Sequence, residues 1–407
     1  MNEADSIAPA QQEVPADQPA CVARLQRLRR ACFDQGVDAF FVRGTTNIQW
    51  LTGFDHVFDE EQAHALVVTG KSAVLHTDCR YSCACRAAAA GTPIQVDDSR
   101  ATHGRVCAQV WEQDCAPDLD PDRGERGYLA IEDSMTLADY AKLRKAFGLD
   151  DDLPASEYQA NLRKAPHMPQ TSQFVFNLRA VKDQAELARM QKAQDITDAA
   201  FTHMLAFMRP GMTEREVQLE LDSFMLSHGA DGLAFPSIVA TGANGANPHA
   251  IPGQTRLEAG QCVVMDFGAK YAGYCSDMTR TVFLGQPEGR MLAAWEAMRR
   301  ANEEVQQLLC PGVTGRAMHQ HAEQVLAQEG FEGLMGHGLG HGVGLDIHEE
   351  PCLNLRNSHP LEAGNVVTVE PGIYVPGEFG MRLEDFGVIT DQGFRRFTQS
   401  THELVVL

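Results

Sequence analysis

Two blocks of this 407-residue chain occur twice, in the same order. PGMTEREV at 210–217 returns as PGVTGRAM at 311–318, and LEAGQCVVMDFG at 257–268 returns as LEAGNVVTVEPG at 361–372, at offsets of 101 and 104 residues. A duplication with matched order and spacing restricts the fold to two similar halves. Each copy reads as a long helix, a Pro-Gly break, a second helix with Thr213 or Thr314 at its N-cap, and then strands. Thr213 with Glu216 fits a capping box.

Within the first copy, VVMDFGAKYAGYCSDMTRTV at 263–282 places two apolar, β-branched runs around a Lys270 to Gly273 turn, the pattern of an antiparallel hairpin. Folding about the point between Tyr271 and Ala272 sets Asp266 opposite Asp277. Directly opposed side chains lie about 4.5 to 5.5 Å apart at Cβ. Carboxylates that close raise one another's pKa unless a cation lies between them. Asp266 also ends a run, Val263 to Met265, that looks buried on both faces, where an unpaired charge is costly. The duplication then superposes Glu370 on Asp266, and Glu384, in GMRLEDFGVI after a loop centred near Gly377, supplies a further partner. Four carboxylates are expected to converge on one point.

GHGLGHGVGLDIHEE adds His337, His341 and His348. Its glycines alternate from 336 to 344, which does not match a dinucleotide-binding GxGxxG. Alternating glycine instead permits close backbone approach in an extended segment, in which His337 and His341 point the same way. Four carboxylates with one imidazole form a mostly hard-oxygen set that suits manganese, with cobalt or zinc also possible. Two such cations about 3.5 to 4 Å apart lower the pKa of a shared water towards neutrality, which suits hydrolysis.

Length argues for two domains. From Cys21 a basic amphipathic helix runs to about Gly36, followed by strands at Asp38–Val42, Ala65–Thr69, Ala73–Leu75 and Tyr128–Ile131 with helical patterns between them, an α/β arrangement to about residue 165. NIQWLTGF at 47–54 reads as a pocket wall or, more simply, a packed strand end. The Pro166 to Pro169 segment marks the junction, giving a domain over 21–168 and a second over 169–407. Residues 1–20, rich in Ala, Pro, Gln and acid, read as a disordered tail with neither a basic start nor an apolar core of a signal peptide. With 34 basic against 55 acidic residues and no dense basic cluster, a nucleic-acid partner is not expected. No apolar run approaches a membrane span. Eleven cysteines without a CxxC pair suggest reduced thiols in a cytoplasmic setting.

From Cys21 onward, and most specifically from Phe235 to Glu384, the chain resembles the proline-specific metallopeptidases of the pita-bread fold, the Xaa-Pro dipeptidases (prolidases) and Xaa-Pro aminopeptidases. The resemblance implies an α+β architecture, a pita-bread catalytic domain with pseudo-twofold duplication behind a smaller creatinase-like α/β domain. It implies two divalent metal ions held by Asp266, Asp277, His341, Glu370 and Glu384. His249 in NGANPHA and His348 match active-site histidines, His337 the pocket histidine, and Arg382 the motif arginine. Glu370 and His348 are then the expected proton-handling groups, with His249 near the oxyanion and His249, His337 and Arg382 facing substrate. A proline-containing peptide substrate and a homodimer follow from the same likeness. Methionine aminopeptidases share the five ligands but generally lack a leading domain of this size, and creatinase-like members replace ligands that are all present here. Dipeptidase and aminopeptidase both stay open, and the alternative from another class is a non-catalytic binding protein on the same scaffold, which would be expected to lose Asp266, Glu370 or His348.

Overall fold

The computed structural model describes residues 19–59, 61–119 and 126–407. The expected tail therefore lies, through residue 18, outside the described residues. The chain divides into a first unit ending at Val175 and a second from Phe176 to Leu407.

The first unit is built on a six-stranded mixed sheet. Its strands, in spatial order, are Gln95–Asp97, Ala73–Thr77, His64–Thr69, Ala39–Val42, Leu129–Glu132 and Gln170–Thr171. The expected early strands are all present, and the opening helix is Ala20–Asp34. Two readings differ. The 47–54 segment is part of a helix, Thr45–Thr52, with Ile48, Trp50 and Leu51 buried. It ends at Gly53, whose φ of 67° is the left-handed helix stop that glycine favours. The junction also falls later than 168/169, because Gln170–Thr171 pairs in parallel with Leu129–Glu132 and so belongs to the first sheet.

In the second unit the duplication appears as two helix-pair-plus-sheet halves. Helices Gln184–Phe207 and Glu214–Ser227 in one half correspond to Gly289–Leu308 and Gly315–Gln328 in the other. The breaks between them share a glycine turn and a threonine cap. Gly211 (φ 92°) and Gly312 (φ 95°) turn the chain. The Gly211 N–H donates to Leu257 O at 2.7 Å, and Gly312 N–H to Leu361 O at 2.8 Å. The Thr213 and Thr314 hydroxyls accept from the N–H groups of Glu216 and Ala317, and Thr213–Glu216 forms the full capping box. Thr213→Ala should therefore cost about 1 kcal/mol in urea unfolding. A variant as stable as the parent contradicts this cap.

The strands Cys262–Phe267 and Met278–Phe283 pair antiparallel, as do Val366–Val369 and Asp385–Thr390 in the second half. Both members of the first pair are buried throughout, so the apolar run around Asp266 is a core strand. Helices of each half cover the sheets through separate apolar cores. Met204, Leu221 and Met265 lie in one, and Met298, Leu326 and Val369 in the other. Asp266 and Glu370 thus sit at corresponding ends of corresponding strands.

The hairpin register requires a correction. Ala272 (φ 47°) and Gly273 (φ 82°) both adopt the left-handed conformation, as the two central residues of a type I′ turn do. Tyr271 therefore pairs with Tyr274, and Asp266 pairs with Thr279 rather than Asp277. A shift by one diagonal step preserves the face, because side-chain direction repeats every two residues. Both carboxylates still line one cavity.

Candidate metal centre

That cavity, of about 820 Å³, lies in the second unit, and every residue singled out above as a candidate lines it: His249, Asp266, Asp277, His337, His341, His348, Glu370, Arg382 and Glu384. Backbone packing explains how so many strand ends approach each other. A Cβ on Gly340 would sit 2.1 Å from Thr368 O, and one on Gly342 2.3 Å from Glu350 O. The alternating glycines let His341, on the strand Gly340–Gly342, lie directly against Val366–Val369. Although only that short segment is a strand, His337 and His341 face the same cavity.

Asp277, His341 and Glu384 bring one ligand atom each to within 4.8 Å of one another, a group able to hold a metal ion. The Nε2 of His341 is 3.5 Å from Asp277 Oδ2 and 3.4 Å from Glu370 Oε1. Its Nδ1 lies 3.0 Å from Gly342 O, an acceptor only, so Nδ1 carries the proton and the Nε2 lone pair faces the acids. Threonines fix two of those acids. Thr368 Oγ1 accepts from the His341 N–H at 3.0 Å and donates to Glu370 at 3.3 Å. Thr279 Oγ1 accepts from Arg382 Nε at 2.8 Å and donates to Glu384 at 2.6 Å.

Arg382 pairs with Asp266 through Nη2 and donates from Nη1 to the Tyr374 hydroxyl at 3.1 Å. The Tyr374 hydroxyl in turn donates to His337 Nε2 at 3.0 Å, since His337 Nδ1 donates to Gly338 O at 2.7 Å. Burial alone pulls the guanidinium pKa down. Tyr374, Asp266, Glu384 and Glu370 more than reverse this, so it stays charged.

The acids themselves are electrostatically uncomfortable. Burial pushes Asp277 well above the ordinary carboxylate range, and the charges of Glu384, Asp266 and Glu370 push it further. Glu384 is raised by burial and then by Glu370 and Asp266, and Glu370 is raised chiefly by burial. Burial lowers the pKa of His341, His337 and His348, favouring neutral imidazoles. Among the described residues Asp266 Oδ1 is fully buried with no hydrogen-bond partner. An orphaned carboxylate oxygen beside three carboxyls raised in pKa, with an imidazole lone pair among them, fits divalent cations.

Several supporting residues carry no signal in the sequence. Thr279, Thr368 and Tyr374 reveal their roles only through the strand pairing that delivers them. Beneath His348, Glu349 forms a buried ion cluster with Arg179 and with Lys182 at 3.0 Å, and accepts the Asp346 N–H at 3.0 Å. Its two cationic partners lie some 170 residues away, where no local spacing points. A second cavity, of about 710 Å³, lies in the first unit around Arg43, His76 and His103 and contains none of the candidate residues.

Comparison with known proteins places this geometry. Residues 188–391 match the model of metallopeptidase family M24, and residues 24–164 match the creatinase/prolidase N-terminal domain. The chain is 34% identical over 384 residues to an uncharacterized peptidase, YqhT, of Bacillus subtilis, covering 94% of this chain and 100% of that one. It superposes on an Xaa-Pro dipeptidase from Bacillus anthracis with a TM-score of 0.82 and 32% identity, covering 95% of this chain and 100% of that one. An X-Pro aminopeptidase from Thermotoga maritima MSB8 gives a TM-score of 0.78 and 29% identity over 94% of this chain and 100% of that one. The expected architecture, a creatinase-type α/β domain before a pita-bread catalytic domain, is thereby shown. With five acid and imidazole donors gathered in the matched domain, the chain belongs to metallopeptidase family M24, among relatives that are Xaa-Pro dipeptidases and X-Pro aminopeptidases.

Proposed function

We propose that this peptidase is a dinuclear-metal dipeptidase that cleaves the bond before proline in Xaa-Pro dipeptides. The observation that carries the reading is the convergence of Asp266, Asp277, His341, Glu370 and Glu384 on one cavity, with an orphaned Asp266 oxygen. These five residues would hold two divalent ions, with manganese favoured by the hard-oxygen set and cobalt or zinc as alternatives. When bound, such ions supply Lewis acidity and hydroxide near neutral pH.

The chain's own groups handle the rest of the reaction. Glu370, oriented by Thr368, takes the proton of the attacking water. His249, exposed at the cavity mouth, donates to the oxygen that becomes negative in the tetrahedral intermediate. His348, whose ring centroid is 4.5 Å from that of His341, carries a proton towards the proline nitrogen, a tertiary amide that must be protonated to leave. His337 and Arg382 line the same pocket and orient the substrate. A homodimer in the cytoplasm belongs to the same reading, and eleven free thiols are consistent with a reducing compartment. Among the described residues no helix is long and apolar enough to cross a membrane.

An aminopeptidase acting on longer peptides is the second reading, favoured by the likeness to the Thermotoga maritima enzyme. Hydrolysis of Ala-Pro, Ala-Pro-Ala and Ala-Ala-Ala by manganese-loaded protein separates them. Cleavage of Ala-Pro alone is the expected result. Preference for Ala-Pro-Ala favours the aminopeptidase, and cleavage of neither proline peptide contradicts both.

The raised carboxyls give a pH test independent of turnover. A group whose pKa rises on folding stabilises the fold below its unfolded value, and that contribution is lost as pH rises through the folded value. Asp277, Glu370 and Glu384 are all in this class, so the metal-free fold should weaken as they ionise. Bound cations favour the ionised forms and reverse the penalty. The Tm gap between manganese-loaded and metal-free protein should widen from about pH 5 to about pH 8. A gap that stays constant or narrows contradicts the assignment of these acids to the metals.

A further inference from the structure

Like that of His348, the imidazole of His249 makes no hydrogen bond among the described residues. Only its backbone N–H is bonded, to Asn247 Oδ1 at 3.3 Å. Its ring is therefore placed by the backbone that carries it, the loop between Thr241, the last residue of the strand Ile238–Thr241, and Gly253.

Both ends and the middle of that loop meet at a single side chain. Glu214, the first residue of the helix Glu214–Ser227, is completely buried. Its Oε1 accepts the Thr241 N–H at 2.9 Å and Asn244 Nδ2 at 2.9 Å, and its Oε2 accepts the Gly253 N–H at 3.1 Å and Asn244 Nδ2 at 3.0 Å. The backbone adds to the clamp, since the Arg215 N–H donates to Gly253 O at 3.1 Å. A buried carboxylate is costly in an apolar interior unless it is fully bonded. Here N–H donors meet both oxygens, at a helix N-terminus where negative charge is favoured.

The duplication supplies an internal control. In the second half the backbone clamp recurs, with the Arg316 N–H donating at 2.8 Å to Asn357 O, in the turn that follows the strand Glu349–Leu353. The residue in the position of Glu214 is Gly315, and a Cβ there would lie 2.2 Å from Cys352 O. Both halves have this direct backbone bond to the helix start, and in the first half the Glu214 carboxylate adds bonds that reach on to Thr241 and Asn244.

We infer that Glu214 is a positioning residue for His249: by tying Thr241, Asn244 and Gly253 to one carboxylate it sets where the imidazole stands in the cavity. Glu214 itself does not line that cavity. The inference rests on the reading of His249 given under Proposed function. It predicts that Glu214 matters for turnover only through His249.

The test is a double-mutant cycle in the full-length, manganese-loaded protein, measuring kcat and KM on the preferred proline peptide together with bound metal and Tm. Glu214→Gln keeps the shape but turns an amide N–H₂ towards N–H donors. His249→Ala removes the imidazole. His249→Ala is expected to lower kcat by about 10²- to 10³-fold, the scale of one oxyanion donor, and Glu214→Gln by no more than that. The double variant should be no slower than His249→Ala, and metal content should be unchanged, since none of the five proposed ligands lies in the loop. A merely structural glutamate would slow turnover equally in both backgrounds. Unchanged kcat in Glu214→Gln, or losses that multiply in the double variant, overturn the positioning role alone. Unchanged kcat in His249→Ala overturns it together with the role given to His249. If Glu214→Gln does not fold, Asn244→Ala, which removes only the middle donor, reads the same coupling, with a smaller loss that should again vanish beside His249→Ala.

Discussion

Asp277→Asn is expected to lose peptidase activity by roughly 10³-fold or more and to lose bound metal with it. Metal-ion catalysis supplies several kcal/mol of transition-state stabilisation, and each 1.36 kcal/mol is a decade in rate. Asp277 is only 4% exposed, is 3.5 Å from His341 Nε2, and belongs to the group of three whose ligand atoms lie within 4.8 Å. An amide has nearly the same shape but carries no charge, so the fold should survive while the attraction for cations falls. In the metal-free state the variant should be no less stable than the parent, because one of several mutually repelling carboxyls has gone. Metal analysis and kcat measured on the same preparation check the prediction. An active, metal-replete Asp277→Asn protein contradicts the ligand assignment.

Gly340→Ala should damage both stability and the metal centre, although the residue carries no functional group. Its added methyl would lie 2.1 Å from the carbonyl oxygen of Thr368, and backbone in a sheet has little freedom to move aside. Overpacking of this kind typically costs about 1 to 3 kcal/mol, and a clash with backbone belongs at or above the upper end of that range. Relief requires the strand carrying His341 to separate from the strand carrying Thr368, which would break the His341 N–H to Thr368 hydrogen bond. Denaturant unfolding should show a loss of about 3 kcal/mol or more, with weakened metal retention in whatever folds. A stable variant with full metal content would show that the close strand contact is not needed to place His341.

The duplicated blocks made the second unit legible because each repeat holds local signals: a glycine turn, a threonine cap and a strand ending in an acid. Asp266 and Glu370 could be matched without knowing any register. The register itself differs from the expected one by one diagonal step, since Ala272 takes a left-handed conformation for which Gly, Asn and Asp are the usual choices. The face survives this step because strand periodicity is two. The helix at Thr45–Thr52 is ambiguous in the sequence because isoleucine and tryptophan in a short apolar run suit strand and helix equally, and the deciding feature is the glycine that follows.

Illegible in the sequence was the support beneath the site. Glu214 looks like an ordinary acidic residue in the first turn of a helix, where negative charge is common. Its burial and its four hydrogen bonds come from a loop 27 to 39 residues away. Glu349 looks like half of an exposed Glu-Glu pair, yet it receives Arg179 and Lys182 in the interior. Partners of this kind are set by tertiary packing and leave no periodicity to read. Chemistry-bearing residues at strand ends do leave one, which is why the candidate ligands could be named while their orienting groups could not.

The most direct measurement is a manganese titration of chelator-treated, metal-free protein, following hydrolysis of Ala-Pro. Turnover should be absent at the start and rise to a plateau at about two ions per chain, as a shared two-metal site requires. Full turnover by the metal-free protein, or a plateau reached without any uptake of metal, would contradict the account.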